Sequence, residues 1–145
     1  MEEVAVRIPC RLSSYVVKQR TPASQGFLGR GFYRLNDAEG AEVCRTAHDE
    51  QGRTVGGNDA AAHARFALEK VRRCLEAAGA SFADVCKVTV FYRNIADREA
   101  VNRVRREYFG STRPASTAVE VSRLVKDDLL VEIEVVAVRP PAPEP

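Results

Sequence analysis

The sequence predicts an α+β fold in which a single sheet carries two helices on one face. Strand patterns and helix patterns follow in the order strands, helix, strand, helix, strand, strand, and helices on one face of a sheet are the economical way to bury both. The length of 145 residues is enough for one domain with a real core. We therefore expect one domain over residues 1–138 and a disordered, proline-rich tail over residues 139–145.

The first third of the chain predicts short strands separated by turns. Residues 4–8 alternate apolar and charged side chains, and residues 12–18 and 41–48 have further strand patterns. Between them, residues 20–40 contain Pro22 and several glycines. This segment is expected to hold a loop and part of a hairpin.

Two helices are predicted from capping residues and apolar spacing. Asn58 or Asp59 is a suitable N-cap for a helix that reaches about Ala78, with apolar residues recurring along one stripe. Asp97 is expected to cap a second helix that reaches about Phe109. The arginine runs in these helices, at residues 72–73 and 105–106, are expected to be solvated helix faces.

Strands are predicted at residues 86–92, 116–122 and 129–138, and the last of these is the most hydrophobic. One face of this last strand is wholly apolar, whereas the other mixes apolar residues with two glutamates. The first set is Leu129, Val131, Ile133, Val135 and Ala137, and the second is Leu130, Glu132, Glu134, Val136 and Val138. The second face is too apolar for a solvated surface, which predicts subunits packed sheet against sheet.

Composition argues against several classes of protein. The chain is 45% hydrophobic and 29% charged, and its net charge of +2 is too small to indicate nucleic acid or a membrane surface as a partner. No apolar run reaches the roughly 20 residues of a membrane span. The four cysteines show no metal-binding spacing, so we expect no metal, no cofactor and a cytoplasmic location with reduced thiols. Cys44 and Cys86 are expected to be small buried residues, and His63 a structural one.

Several motifs between Asp59 and Val138 occur in register with one known family. They include Asp59-Ala-Ala-Ala-His-Ala-Arg, Leu75-Glu-Ala-Ala-Gly-Ala, Asp84-Val-Cys-Lys-Val-Thr-Val-Phe, Arg113-Pro-Ala-Ser-Thr and Val131-Glu-Ile-Glu. The chain resembles the RidA (YjgF) family, also labelled L-PSP endoribonuclease-like. The resemblance implies a chorismate-mutase-like fold and a homotrimer with a central barrel. It also implies inter-subunit clefts that hydrolyse reactive enamines and imines to keto acids and ammonia.

One residue departs from the family at the turn before the strand predicted at residues 116–122. Active deaminases carry an arginine after Pro-Ala, and this arginine grips the substrate carboxylate in a bidentate pair. Here the turn reads Pro114-Ala115-Ser116-Thr117, so Ser116 stands where the arginine would be. A hydroxyl cannot neutralise a carboxylate, and losing such a pair would cost about 1.5–3 kcal/mol of binding. Ser116 also has a plain interpretation as a small residue in a tight turn.

The resemblance assigns further site residues. Glu132 is retained as the acid that would hold or activate water, although it could instead belong to an inter-subunit salt bridge. Asn102 matches a pocket-edge asparagine, and Thr117 follows Ser116 in the turn. Tyr15 could be the family's proximal tyrosine, but the residues around it do not match its motif.

Two arginines could replace the missing cation. Aligning back from Gly52 places the family's Ser-Gly-Gln strand end on Val43-Cys44-Arg45, which would put Cys44 and Arg45 near the cleft. Arg113 precedes the turn and could serve the same purpose, or it could form a surface or interface ion pair.

Three functions remain open from the sequence. The first is an enzyme that hydrolyses an enamine, an imine or a related carbon–nitrogen bond of a small metabolite, with a divergent substrate, in a catabolic or secondary-metabolic pathway. The second is a non-catalytic trimer that binds a small metabolite in the same cleft, and the third is an interaction or chaperone-like trimer. The endoribonuclease label gains no support, because the chain has neither a strong basic patch nor a histidine pair.

Overall fold

The computed structural model describes residues 5–7, 16–18, 25–28, 31–36 and 40–138. Tyr15 and the predicted tail at 139–145 lie outside these residues. The described elements are strands β1 (Ala5–Arg7), β2 (Val16–Lys18), β3 (Gln25–Leu28), β4 (Gly31–Asn36), β5 (Gly40–Thr46), β6 (Val85–Tyr92), β7 (Ala115–Glu120) and β8 (Val131–Val138), and helices α1 (Ala60–Ala77) and α2 (Arg98–Phe109). The α+β class and the order of elements are confirmed.

The main sheet has six strands in the order β3-β4-β5-β8-β6-β7. Neighbouring strands are antiparallel except for the parallel pair β6 and β7. Strands β1 and β2 pair with each other in a separate two-stranded sheet, which corrects the prediction of a single sheet. Alternating apolar and polar residues predict a strand. Which other strand it pairs with depends on residues distant in sequence. The last strand, β8, is therefore central, and β7 is an edge.

Both helices pack on the same face of the main sheet, as predicted. The apolar set of the last strand is buried, with Leu129, Val131, Ile133 and Val135 at 0% exposure. One continuous core joins Val131, Ile133 and Val135 to both helices and to β6, and its helix members are Ala60, Ala64, Ala67, Leu68, Val71, Leu75, Val101, Val104 and Phe109. Each large apolar side chain buried in this way stabilises the fold by about 1.5–3 kcal/mol. Within the described residues, neither helix combines the length and apolar character needed to span a bilayer.

The helix N-termini differ from each other. Asp59 caps α1, because its Oδ1 accepts hydrogen bonds from the backbone N–H groups of Ala61 at 2.8 Å and Ala62 at 3.2 Å. Asp97 precedes α2 but its side chain makes no capping hydrogen bond, which corrects that prediction. A short 3₁₀ turn, Ile95–Asp97, comes first, and Asn94 caps it instead. Asp97 thus already has a helical backbone and cannot direct its carboxylate back over the helix end.

A β-bulge changes the exposure of Cys86. The register of β6 against β8 shifts between Val85 and Lys87. The extra residue lets Val85 and Val88 both enter the core while Cys86 lies outside it. The prediction that Cys86 is buried is therefore wrong for the single chain, because regular alternation does not anticipate a bulge.

His63 connects the loop before α1 to the beginning of the central strand. Its ring is fully buried, its Nε2 lies 2.9 Å from the carbonyl oxygen of Gly57, and its Nδ1 lies 3.3 Å from the backbone nitrogen of Leu130. The Leu130 N–H can only donate, so Nδ1 accepts and Nε2 carries the proton that it donates to Gly57. The structural role predicted for His63 is confirmed.

We expect Gly56→Ala to destabilise the protein more than Gly57→Ala. Both glycines have positive φ, at 103° and 57°, but a Cβ on Gly56 would lie 2.8 Å from Cδ2 of the buried His63, whereas a Cβ on Gly57 meets nothing within 4 Å. Gly57→Ala should lower the free energy of unfolding by about 1 kcal/mol through backbone strain, and Gly56→Ala by about 2–4 kcal/mol through strain plus overpacking. Urea denaturation measures both, and equal losses would contradict the role given to His63.

Candidate functional site

A polar cluster joins α2 to the beginning of β7. Arg105 donates from Nη2 to Oγ of Ser116 at 3.0 Å and from Nη1 to Oδ1 of Asn102 at 2.9 Å. Its guanidinium also lies over the Phe109 ring, 5.7 Å from the ring centroid. Two of the predicted site residues, Asn102 and Ser116, are thus brought together by a third side chain.

The charge of Arg105 is partly removed from water. The residue is half-buried, and burial lowers the pKa of its guanidinium, an effect that the Tyr92 side chain opposes and the positive charge of Arg98 reinforces. Among the described residues, no carboxylate forms a salt bridge with Arg105. A cation that loses solvent without gaining a counter-charge is costly to hold.

Tyr92 lies at the inner side of this cluster. Its side chain is fully buried, and desolvation raises the pKa of its phenol, while Arg105 and then Arg98 oppose that rise. The Tyr92 hydroxyl and the Arg105 Nε are close enough to affect one another. Even so, neither atom has a hydrogen-bond partner of good geometry within the described part of the chain. The interior behind Ser116 therefore has unused polar groups.

Sequence reasoning missed Arg105 by treating residues 105–106 as a solvated face. That prediction is wrong for Arg105 but holds for Arg106, which is exposed and pairs with Glu99 at 3.1 Å. A signal was available, since Arg105 follows Asn102 by three positions and residues at this spacing share a helix face. The contact between Arg105 and Ser116 joins two different elements, and the local sequence pattern does not predict it.

Ser116 and Thr117 project to opposite faces of the sheet. In the parallel register Ser116 pairs with Val88, a core residue on the helix-covered face, whereas Thr117 pairs with Thr89 on the other face. Only Ser116 joins the cluster with Arg105. The assignment of Thr117 as a substrate-binding residue stays a prediction.

Glu132 is half-buried on the face that the helices leave uncovered. Its register partners are Thr46 on β5 and Phe91 on β6, and the neighbouring residues Val131 and Ile133 point into the core. Because side chains alternate along a strand, Glu132 and Ser116 lie on opposite faces of one chain's sheet. They can contribute to one cleft only if a second subunit completes it.

The two arginines proposed from the sequence as replacement cations are held elsewhere. Arg45 is 6% exposed, and its Nη2 lies 2.8 Å from Sγ of Cys74 on α1. Arg113 is exposed, and its Nη1 donates to the carbonyl oxygens of Gly110 at 2.8 Å and Thr112 at 3.1 Å. Arg45 therefore faces a helix, and Arg113 satisfies carbonyl groups at the end of α2, so Arg105 is the cation that reaches Ser116.

Two other predicted residues are less defined. The backbone of Cys44 lies in β5 opposite Glu134, and Tyr15 falls outside the described residues. Over the described ranges, no group of three or more His, Cys, Asp or Glu side chains is placed to hold a metal ion.

The comparison with known proteins identifies the family. Residues 45–139 match the family model described as Endoribonuclease L-PSP, which is more than half of the chain. The chain belongs to the RidA (YjgF) family. The matched segment includes both Ser116 and Glu132. These two residues lie on opposite faces of the sheet but belong to the same family domain.

Two curated members of the RidA family align with part of this chain. A RutC family protein of Pyrococcus horikoshii is 52% identical over 73 residues, which are 50% of this chain and 57% of that protein. The 2-iminobutanoate/2-iminopropanoate deaminase of Escherichia coli is 43% identical over 84 residues, which are 56% of this chain and 65% of the deaminase. The matched segment thus spans less than two thirds of either relative.

A solved structure extends the comparison to most of the chain. The crystal structure of Escherichia coli TdcF with bound serine has a TM-score of 0.67 and 31% sequence identity, and the match covers 84% of this chain and 95% of TdcF. The chorismate-mutase-like fold expected from the sequence is confirmed at this level.

We expect Tyr92→Phe to leave stability unchanged or to raise it slightly. The Tyr92 hydroxyl is buried and has no hydrogen-bond partner among the described residues, so removing it abolishes a desolvation cost and loses none of the described hydrogen bonds. Tyr108→Phe is the matched control, because the Tyr108 hydroxyl donates to the carbonyl oxygen of Arg65 at 3.3 Å and its loss should cost about 0.5–1 kcal/mol. Thermal unfolding compares the two, and a larger loss in Tyr92→Phe would show that its hydroxyl is satisfied in the protein.

Proposed function

We propose that this protein hydrolyses an enamine or imine of a small metabolite in a cleft between subunits. The proposal rests on membership of the RidA family together with Glu132, a half-buried carboxylate on the uncovered face of the central strand. The similarity to a 2-iminobutanoate/2-iminopropanoate deaminase supports the same chemistry. The divergent turn at Ser116 supports a substrate that differs from that of the relatives.

The chemistry requires only water and one proton carrier. Glu132 would accept a proton from a water molecule as the water oxygen attacks the imine carbon. The proton then passes to the nitrogen, which gives a neutral tetrahedral intermediate with a hydroxyl and an amino group. Glu132 would next carry the hydroxyl proton to the same nitrogen as the carbon–nitrogen bond breaks, so that ammonia leaves and the oxygen remains as the keto group. Oxygen is gained from water and nitrogen is lost as ammonia, so no oxidant or cofactor is needed.

A homotrimer would complete the cleft. Two observations support it: Glu132 and Ser116 lie on opposite faces of one sheet, and the uncovered face and edge expose Val119 at 37% and Val138 at 52%. In a closed ring, each subunit would present its Glu132 face to the next subunit's β7 edge. A cytoplasmic location and a role in secondary metabolism remain predictions from the sequence.

The alternative is a trimer of the same fold that binds a metabolite without catalysis. Ser116 in place of the family arginine favours this alternative, because the turn itself no longer supplies a cation for the substrate. The two functions share one cleft and differ only in whether Glu132 transfers protons.

We expect Glu132→Gln to lower kcat for imine hydrolysis by about 10²- to 10⁴-fold, the usual contribution of general acid–base catalysis. The assay generates 2-iminobutanoate with a pyridoxal-phosphate dehydratase and follows imine decay with and without the protein. Glu134→Gln is the matched control, since Glu134 is also half-buried on the same face of β8 and should keep nearly full activity. Binding of keto acids by a wild type that never accelerates imine decay would favour the non-catalytic alternative.

We expect light scattering to give a mass three times the 16.0 kDa of the chain. A charge on the uncovered face, introduced as Val136→Lys, should dissociate the assembly, because a buried ammonium is costly without a partner. A monomer at micromolar concentration in the wild type would contradict the shared cleft.

A further inference from the structure

We propose that Arg105, carried by α2, binds the carboxylate of the substrate beside Ser116, where active deaminases of the family carry an arginine on β7. This proposal deepens the proposed function and rests on it for the class of substrate. The arginine of the turn has been exchanged for a hydroxyl, and a guanidinium from the neighbouring helix reaches that same hydroxyl at 3.0 Å.

The hydrogen bonds of Arg105 leave a fork available for an anion. A guanidinium has five N–H donors, two on each Nη and one on Nε. Ser116 accepts one from Nη2, and Asn102 accepts one from Nη1. In the described part of the chain one hydrogen remains on each Nη atom, and two such hydrogens can bind a carboxylate as a bidentate pair.

The surroundings of Arg105 favour an anion over a neutral ligand. Both in-chain partners are neutral oxygens, and no described carboxylate forms a salt bridge with this arginine. Arg98 lies on the same helix, close enough to act on the charge of Arg105. An incoming carboxylate would supply the missing counter-charge in a half-buried setting, where charge pairs are stronger than on an open surface.

The position of Arg105 is also fixed before a ligand arrives. Two hydrogen bonds and the Phe109 ring hold the guanidinium, so little side-chain entropy remains to be lost on binding. Serine and asparagine are small partners that accept from the guanidinium without neutralising it. Ser116 is thus a positioning residue for Arg105 as well as the site of the missing arginine.

The competing explanation is that Arg105 only fastens α2 to β7. A fastening role predicts that Arg105 variants lose stability and lose affinity for every ligand alike. A carboxylate-binding role predicts a selective loss for charged ligands. The probes are therefore 2-oxobutanoate, the keto acid formed from 2-iminobutanoate, and its neutral amide, titrated by calorimetry into the full-length protein.

We expect wild type to prefer 2-oxobutanoate over the amide, and Arg105→Gln to weaken binding of 2-oxobutanoate by about 10- to 150-fold with little change for the amide. Arg106→Gln is the matched control, since Arg106 is the adjacent exposed arginine on the same helix and should leave both affinities unchanged. The double variant Arg105→Gln with Ser116→Arg returns a guanidinium to the family position and should recover affinity for the keto acid. Arg105→Lys keeps the charge but loses the fork, and should fall between wild type and Arg105→Gln.

Unchanged affinity for 2-oxobutanoate in folded Arg105→Gln, or equal losses for both probes, would overturn the proposal. If Arg105→Gln does not fold, the ratio of the two affinities in Arg105→Lys decides between the same outcomes. Failure of the proposed imine hydrolysis would give a different result from failure of carboxylate binding by Arg105. In that case imine decay is never accelerated, while selective binding of the keto acid through Arg105 persists.

Discussion

The alternation of side chains along the central strand is the constraint on which the site depends. Strand β8 has neighbours on both sides, and its odd-numbered residues are buried under the two helices. A slip of one residue would turn this apolar set outward and bury Glu132 and Glu134, so the register is strongly fixed. The same register carries through β6 to β7 and determines that Ser116 faces the helices while Glu132 faces away. Separation of the acid from the cation therefore follows from core packing.

Because Ser116 faces the helices, an arginine on a helix can replace the arginine that active deaminases carry on β7, and the sheet need not change. A strand residue that projects toward a helix and a helix residue that projects toward the strand can place a guanidinium at one position, because the arginine side chain is long. When Arg105 carries the charge instead of a residue on β7, the guanidinium enters the site from the helix side. It also leaves Ser116 as a neutral partner of the guanidinium. The ligand then meets the terminal Nη atoms, since Nε is buried. Divergence at the turn thus alters the shape and depth of the site more than its charge.

Local patterns predicted the helices, the strands β5 to β8 and the buried face of β8, because each depends on periodicity within a short segment. The resemblance to the RidA family indicated Ser116, Asn102 and Glu132, because matching motifs identify positions without any knowledge of packing. What could not be predicted depends on contacts distant in sequence. The bulge at Cys86, the pairing of β1 with β2, the orientation of Arg45 toward α1 and the contact of Arg105 with Ser116 are all of this kind. The exposure of charged residues on helices is the hardest to predict, because the sequence pattern does not distinguish a solvated arginine from a half-buried one.

The energetic consequence of Arg105 links the ligand to the stability of the fold. Within the described residues the half-buried guanidinium is bonded to neutral oxygens, and such a group retains part of its desolvation cost in the free protein. An anion that supplies the counter-charge offsets this cost only in the folded state, so ligand binding and folding are thermodynamically coupled. At a concentration 100 times Kd the stabilisation is about 2.7 kcal/mol, which is large beside the marginal stability of a small domain. Because a neutral ligand of the same shape cannot cancel the charge, the fold itself favours anionic occupants of this site.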